Sequence, residues 1–167
     1  RSFQQLLGAC STLVRDLAPD PPKTLRQCIV PSGDTAAGGK TTVEHVAAAA
    51  KQNNDRFHEL MRQLLFGQEG EYMAGPIKTE LRIKEKVDTD YALEKGEHDP
   101  YSRVIDAVRG TCKFDTARGM LAFIERLKAQ NGKGAINVLR VKDRICSKPI
   151  SSGYRDCLMN IEVGGRG

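Results

Sequence analysis

The sequence has no apolar run close to the ~18 consecutive residues that a membrane-spanning helix requires. No secretory leader is visible either, although the chain begins at Arg1 rather than at a methionine. We therefore expect a protein without a membrane partner, located in the cytoplasm.

Cysteine and histidine are sparse and are not arranged as a metal site. The histidines share no ligand spacing with the cysteines, and there is no C-x-x-C pair among Cys10, Cys28, Cys112, Cys146 and Cys157. An odd number of cysteines in mostly apolar stretches indicates reduced thiols. No serine, cysteine or histidine has a partner base at the spacing of a known hydrolase motif, so covalent hydrolase chemistry is not expected.

What the sequence does contain is typical of a globular domain with a mild basic excess. Its 167 residues are 40% hydrophobic and 28% charged, which predicts a single domain over residues 1–167. The formal net charge is +5 and the isoelectric point is about 9.0. This excess weakly favours polyanionic partners such as nucleotides or RNA.

The first 70 residues are predicted to be mainly helical. Leucines and valines at helical spacing predict a helix over residues 3–17. Thr41 and Glu44 fit a capping box, which would open a second helix reaching about Phe66.

The segment from Gly33 to Thr41 invites comparison with a phosphate-binding loop, because it contains Gly39-Lys40-Thr41. That motif requires four residues between its first glycine and the Gly-Lys pair, whereas five separate Gly33 from Gly39. We expect a flexible loop that leads into a capped helix.

Residues 75–163 have the texture of a mixed α+β region. A basic helix is predicted over residues 76–93, a strand over 104–114, and an amphipathic helix from Ala117 with Asp115 or Thr116 as its cap. Two further strands are predicted over residues 135–141 and 154–163. The predicted fold is α+β, with a mixed sheet of about four or five strands flanked by helices and an N-terminal helical region.

Four short stretches in this region carry chemistry. Lys78, Arg82 and Lys86 recur every four residues, and on a helix they would share one face as a cationic stripe. The other three stretches are, in chain order, Asp106-Ala107-Val108-Arg109-Gly110, Val138 to Ile145 with Lys142-Asp143 near its end, and Gly153-Tyr154-Arg155-Asp156 after Lys148-Pro149. Each alone also fits a solvated charged face or an ordinary strand.

Together and in this order, the four stretches resemble the synthetase domain of the RelA/SpoT family of alarmone synthetases, over residues 75–163. The resemblance implies a nucleotidyltransferase-type fold. It also implies transfer of pyrophosphate from ATP to the 3′-hydroxyl of a guanosine nucleotide or of a tRNA. Asp106 would be the catalytic carboxylate and would hold Mg²⁺. Lys78, Arg82, Lys86 and Lys142 would bind phosphates.

The same resemblance assigns the acceptor site and leaves one alternative open. Tyr154 would stack on the acceptor base, and Arg155 would contact the acceptor's phosphates. Two arginine positions of the family are occupied by Pro76 and Thr111 here, with Arg109 a nearby substitute, and the family's second metal-binding glutamate would lie beyond Gly167. A catalytically inactive nucleotide- or RNA-binding module of the same fold is therefore the alternative.

Overall fold

The computed structural model describes residues 2–17, 40–91, 99–145 and 156–164. These contain four α-helices and four strands. The helices are α1 (Phe3–Leu17), α2 (Val43–Leu65), α3 (Glu80–Lys86) and α4 (Ala117–Gln130). The strands are β1 (Glu71–Ala74), β2 (Gly110–Lys113), β3 (Ile136–Asp143) and β4 (Cys157–Val163). The α+β class is thus confirmed.

The chain divides into two compact units. Unit 1 comprises Arg1–Pro22, Leu60–Met73 and Cys112–Gly167, and unit 2 comprises Lys23–Glu59 and Ala74–Thr111. Both units draw on residues from either side of the boundary predicted near residues 70–75. The prediction of one domain over residues 1–167, with a helical part and a synthetase-like core, stays a prediction.

In unit 1, α1 lies against α4 and β3. The helices are amphipathic, and the side chains that they bury include Leu7, Val14, Leu121 and Leu127. The Cys10 thiol lies 3.6 Å from the carbonyl oxygen of Ala117. Several polar contacts join the same elements: Asn131 donates to the carbonyl of Leu17 over 3.0 Å, and Lys128 pairs with Asp16 over 2.9 Å.

The hairpin of unit 1 is antiparallel and contains one bulge. Val138 is opposite Ile161 and Arg140 is opposite Asn160, so Leu139 is an extra residue on β3. Before the bulge Ile136 and Val138 are the buried positions. After it the exposure alternates in the opposite phase, so Arg140 and Lys142 are exposed while Val141 is half-buried.

The core of unit 2 is formed by side chains from α2, α3 and the segment that precedes β2. Apolar residues on one side of each element meet there: Val43, Val46, Ala50, Ile83, Val87, Val104 and Ala107. A π-helical turn (Val87–Tyr91) extends α3, and a 3-10 turn (Pro100–Arg103) leads into Val104. This core fixes the positions of α3 and of residues 104–107 within the unit.

The predicted helices over residues 3–17, 41–66 and from Ala117 are confirmed, with Thr116 as the cap of α4. The cap of α2 differs from the prediction by one residue. The Thr42 hydroxyl accepts from the backbone N–H of His45 over 3.4 Å, and the Thr42 N–H donates to Nδ1 of His45 over 3.2 Å. Thr41 instead bonds to Asp99, through its hydroxyl over 2.7 Å and its N–H over 3.1 Å.

The predicted sheet of four or five strands is wrong for the part of the chain that the structure describes. There β1 pairs with β2 and β3 pairs with β4, in two separate sheets. The strand expected over residues 104–114 is reduced to β2, because Val104 and Ala107 are drawn into the core of unit 2. Beside it, Pro76 has no N–H to donate, which removes one bond from any ladder over residues 75–78.

The basic helix expected over residues 76–93 is shorter than predicted. It begins at Glu80, with Thr79 as its N-cap accepting from the N–H of Arg82, and residues 92–98 lie outside the described residues. The loop expected near Gly33 and the start of the predicted last strand at Tyr154 also lie outside them. In the described ranges, no helix combines the length and the apolar character that crossing a membrane requires.

Candidate functional site

The candidate site lies in unit 2, where an extended segment runs beside residues 107–109. The Gly75 N–H donates to the carbonyl of Arg109 over 2.8 Å, and the Lys78 N–H donates to the carbonyl of Ala107 over 2.9 Å. A Cβ on Gly75 would be 2.8 Å from the Arg109 carbonyl oxygen, so glycine permits this approach. The pairing brings Lys78 next to Asp106.

Two lysine side chains converge on one oxygen of Asp106. The Nζ atom of Lys78 is 2.8 Å from Oδ2, and the Nζ atom of Lys86 is 3.6 Å from the same oxygen. Lys86 is also 3.3 Å from Oδ2 of Asp90. We call Lys78, Lys86, Asp90 and Asp106 the Asp106 cluster. The Lys78 side chain is 11% exposed and that of Asp106 is 33% exposed, so both are partly shielded from solvent.

The π-helical turn places an aromatic ring beside the cluster. Lys86 is the last residue of α3, and its ammonium is 5.7 Å from the centre of the Tyr91 ring. The Arg103 guanidinium is 4.6 Å from the same ring. Cations at these distances are attracted by the electrons of the ring face. Single π-helical turns are often found at functional sites.

The charges of the cluster favour the protonated form of Lys86. Burial acts to lower the pKa of Lys86, but Asp106, Tyr91 and Asp90 together outweigh it, and the pKa is raised above its ordinary value.

In the described part of the chain, the carboxylate of Asp106 has partners at only one of its two oxygens. Its Oδ1 atom is buried and has no hydrogen-bond partner among the described residues. An unsatisfied carboxylate oxygen is costly to bury, which marks this position as unusual.

The residues around Asp106 do not fit magnesium as they are arranged. A carboxylate oxygen is a suitable Mg²⁺ ligand, but Oδ2 already lies between two ammonium groups. No three histidine, cysteine, aspartate or glutamate side chains come together as a metal site in the described ranges. The role of Asp106 as a magnesium ligand remains an expectation from the resemblance, and we derive no step through a metal.

The other basic residues of unit 2 lie apart from the stripe predicted for them. Lys78 precedes α3, so it does not share a helical face with Arg82 and Lys86. Arg82 is 75% exposed and pairs with Glu85 over 3.0 Å, three residues further along the same helix. Arg109 is exposed and donates from Nη2 to the carbonyl of Pro76 over 3.3 Å. Of the predicted stripe, Lys78 and Lys86 therefore meet at Asp106, and Arg82 does not.

The remaining predicted site residues belong to unit 1. Lys142 is exposed on β3, where its backbone is opposite Leu158. Tyr154 and Arg155 lie outside the described residues. The neighbouring Asp143 is a structural residue: its carboxylate accepts from the Ser11 hydroxyl, from Nε of Arg15 over 2.9 Å and from the N–H of Ile145 over 2.9 Å.

Sequence reasoning did not predict the contacts that Asp90, Tyr91 and Arg103 make at this site. The pairing of Asp90 with Lys86 could have been found, because residues four apart on a helix are neighbours. The contact of Arg103 with Tyr91 could not, because it joins the π-helical turn to the 3-10 turn, which lie apart in the sequence.

Comparison of the chain with models of protein families, with curated proteins and with solved structures found no match in any of the three.

Proposed function

We propose that this chain binds a nucleotide, and that the Asp106 cluster contacts the nucleotide's phosphates. The observation that carries the proposal is the convergence of Lys78 and Lys86 on a single carboxylate oxygen, at 2.8 and 3.6 Å. The nucleotide itself is inferred from the resemblance to the RelA/SpoT synthetase domain, which also supplies ATP and a guanosine nucleotide or tRNA as the candidate ligands.

The cluster is suited to an anion because Asp106 holds the ammonium groups of Lys78 and Lys86 close together before any ligand binds. Bringing two ammonium groups together costs electrostatic free energy, which Asp106 offsets in the free protein. A phosphate group could take the place of that carboxylate as the counter-charge of Lys78 and Lys86. Arg109, two residues after Ala107, is a further exposed cation of unit 2, and its guanidinium contacts the carbonyl of Pro76. Charge-assisted hydrogen bonds to phosphate are among the stronger ones in proteins.

This geometry supports binding better than catalysis. Transfer of pyrophosphate requires neutralisation of the developing charge on the phosphates, generally by metal ions. The residues around Asp106 do not fit such an ion, so we propose the binding module rather than the synthetase. The proposal retains the expected cytoplasmic location, which agrees with the free thiols of Cys10, Cys112 and Cys157.

The binding hypothesis and the synthetase hypothesis predict effects of Asp106→Asn on two different quantities, nucleotide affinity and product formation. If the cluster only binds phosphates, the variant removes a competing negative charge while keeping the shape of the side chain. Nucleotide affinity should then stay the same or increase. If the chain is a synthetase, the same variant should abolish product formation. Binding of ATP and GTP is measured by calorimetry, and product is sought from labelled ATP with GDP, GTP or tRNA.

Lys78→Gln combined with Lys86→Gln should weaken nucleotide binding by at least about tenfold, the cost of one lost charge-assisted contact or more. The single variant Lys84→Gln is the control, because Lys84 is an exposed lysine on α3, the helix that contains Lys86, and lies outside the cluster. Thermal unfolding verifies that each variant is folded. Wild-type protein that binds no nucleotide, or a double variant that binds like Lys84→Gln, would refute the proposal.

A further inference from the structure

The described residues of the two units differ in net charge. In unit 1 they include 10 lysines and arginines against 8 aspartates and glutamates, whereas in unit 2 they include 9 against 9. The net positive charge of the described residues therefore belongs to unit 1. The Asp106 cluster lies in the neutral unit, so it does not account for the basic character of the protein.

Several cations of unit 1 are already paired with acids. Arg15 contacts Asp143 over 2.9 Å and Lys128 contacts Asp16 over 2.9 Å. Arg144 forms a bidentate ion pair with Asp156, through Nε over 2.6 Å and through Nη2. These pairs have structural roles within the unit, and the acids neutralise the charge of Arg15, Lys128 and Arg144.

Arg140 and Lys142 differ from these cations. Both are exposed, and neither has an acidic partner among the described residues. The two residues lie on the same face of β3 because they are two positions apart after the bulge, and they lie about 7 Å apart along the strand, at 3.4 Å per residue. They are opposite Asn160 and Leu158 on β4, and the Leu158 side chain is 49% exposed.

We infer that this face of the hairpin, formed by Arg140, Lys142, Leu158 and Asn160, binds the phosphodiester chain of a single-stranded nucleic acid. Two separated cations on an open face suit successive phosphates better than one compact triphosphate. An exposed leucine beside Lys142 offers an apolar surface to an unpaired base, and Asn160 offers polar groups to it. The inference is independent of the nucleotide proposed for unit 2.

The test uses the full chain and fluorescent 20-nucleotide oligo-U RNA and oligo-dT DNA, titrated at several salt concentrations. Arg140→Gln with Lys142→Gln should weaken binding by about tenfold or more at low salt. It should also reduce the slope of log affinity against log salt by roughly 1.4, because each single-strand phosphate contact contributes about 0.7.

Lys113→Gln with Arg118→Gln is the matched control, because it removes the same charge from other exposed positions of unit 1. Binding close to that of the wild type in this control, with a reduced salt slope only in the hairpin variant, supports the inference. An equal loss in both variants would refute it, because net charge alone would then explain binding. Wild-type protein that binds neither strand at low salt would also refute it.

The Asp106 cluster can be separated from the hairpin in the same assay. The variant with Lys78→Gln and Lys86→Gln should bind the oligonucleotides like the wild type. If that variant loses oligonucleotide binding while the hairpin variant retains it, the nucleic acid binds at the cluster and the inference is wrong.

Discussion

At the scale of single residues, the two aspartates of the motif stretches have different environments. Asp143 is 9% exposed and accepts from Ser11, Arg15 and the backbone of Ile145. Asp106 has one oxygen shared by two lysines and one buried oxygen without a partner among the described residues. A fully bonded carboxylate stabilises a fold, whereas a partly bonded one is available to respond to a ligand.

Asp143→Asn should therefore destabilise unit 1 by about 1.5–3 kcal/mol, the usual cost of hydrogen bonds to a charged group. Asp16→Asn is the control, because Asp16 is 52% exposed and pairs only with Lys128 in the described residues. An exposed ion pair contributes about 0–1 kcal/mol. Urea denaturation measures both changes, and equal losses in the two variants would contradict the assignment of Asp143 as a structural anchor.

Charge made part of the site predictable from sequence. Lys78, Lys86 and Asp106 were identified as phosphate-binding and acidic positions, and the structure brings them together. The proposed geometry was a helical stripe, which fails because Lys78 donates its backbone N–H to Ala107 and lies outside α3. Residue type was readable from the sequence, but the backbone conformation that unites the residues was not.

At the scale of elements, the helices were predictable and the sheets were not. The apolar spacing of α1, α2 and α4 is a local pattern, and each helix begins beside a threonine cap or a similar polar group. The predicted strand over residues 104–114 contains enough valine and isoleucine to look continuous. Val104 and Ala107 in its first half pack instead into the core of unit 2. That core forms through contacts with helices that are distant in the sequence.

Two helical glycines test how closely the elements of unit 1 approach each other. A Cβ on Gly119 in α4 would be 2.9 Å from the backbone oxygen of Glu69, whereas one on Gly8 in α1 would have no heavy atom within 4 Å. Gly8→Ala should stabilise the protein by about 0.5–1 kcal/mol, since alanine is the better helix former.

Gly119→Ala should be destabilising despite the same gain in helix propensity, because the backbone at Glu69 would have to move. The two variants differ in sign, which a thermal or urea unfolding curve resolves directly. Stabilisation by Gly119→Ala would show that α4 does not approach Glu69 as closely as described.

At the scale of the whole molecule, the basic excess predicted a polyanionic partner but not its location. The sequence assigned the phosphate contacts to a single shared site that included Lys142. In the structure Lys142 belongs to unit 1 and the Asp106 cluster belongs to unit 2, and the shared site stays a prediction. The division depends on which distant segments pack together, and no local pattern in the sequence carries that information.

Half-buried thiols make the stability of the protein sensitive to alkaline pH. Burial raises the pKa of Cys112 to about 12, and burial together with Asp143 and Asp156 raises that of Cys157 to about 12. An unfolded thiol loses its proton near pH ~8.5. The unfolded state is therefore favoured increasingly as pH rises from about 8.5 towards 12, and the stabilisation present below that range is lost.

Cys112→Ser removes one of these titrating groups. Between pH 8 and pH 10 its free energy of unfolding should fall less steeply than that of the wild type, by at most about 1.4 kcal/mol per pH unit. Urea midpoints at pH 7, 8, 9 and 10 give the comparison, with each protein referred to its own value at pH 7. Parallel curves for the two proteins would show that the Cys112 thiol is not shielded from ionisation.

The bulge at Leu139 means that β3 can lose this one residue and still pair with β4. Without Leu139 the strand would read Ile136, Asn137, Val138, Arg140, Val141, Lys142, an unbroken alternation that keeps the same side chains on each face. Gain or loss of this one codon in evolution would therefore preserve the pairing of β3 with β4. What it would change is the local twist, and with it the direction in which Arg140 and Lys142 extend from the rest of the sheet.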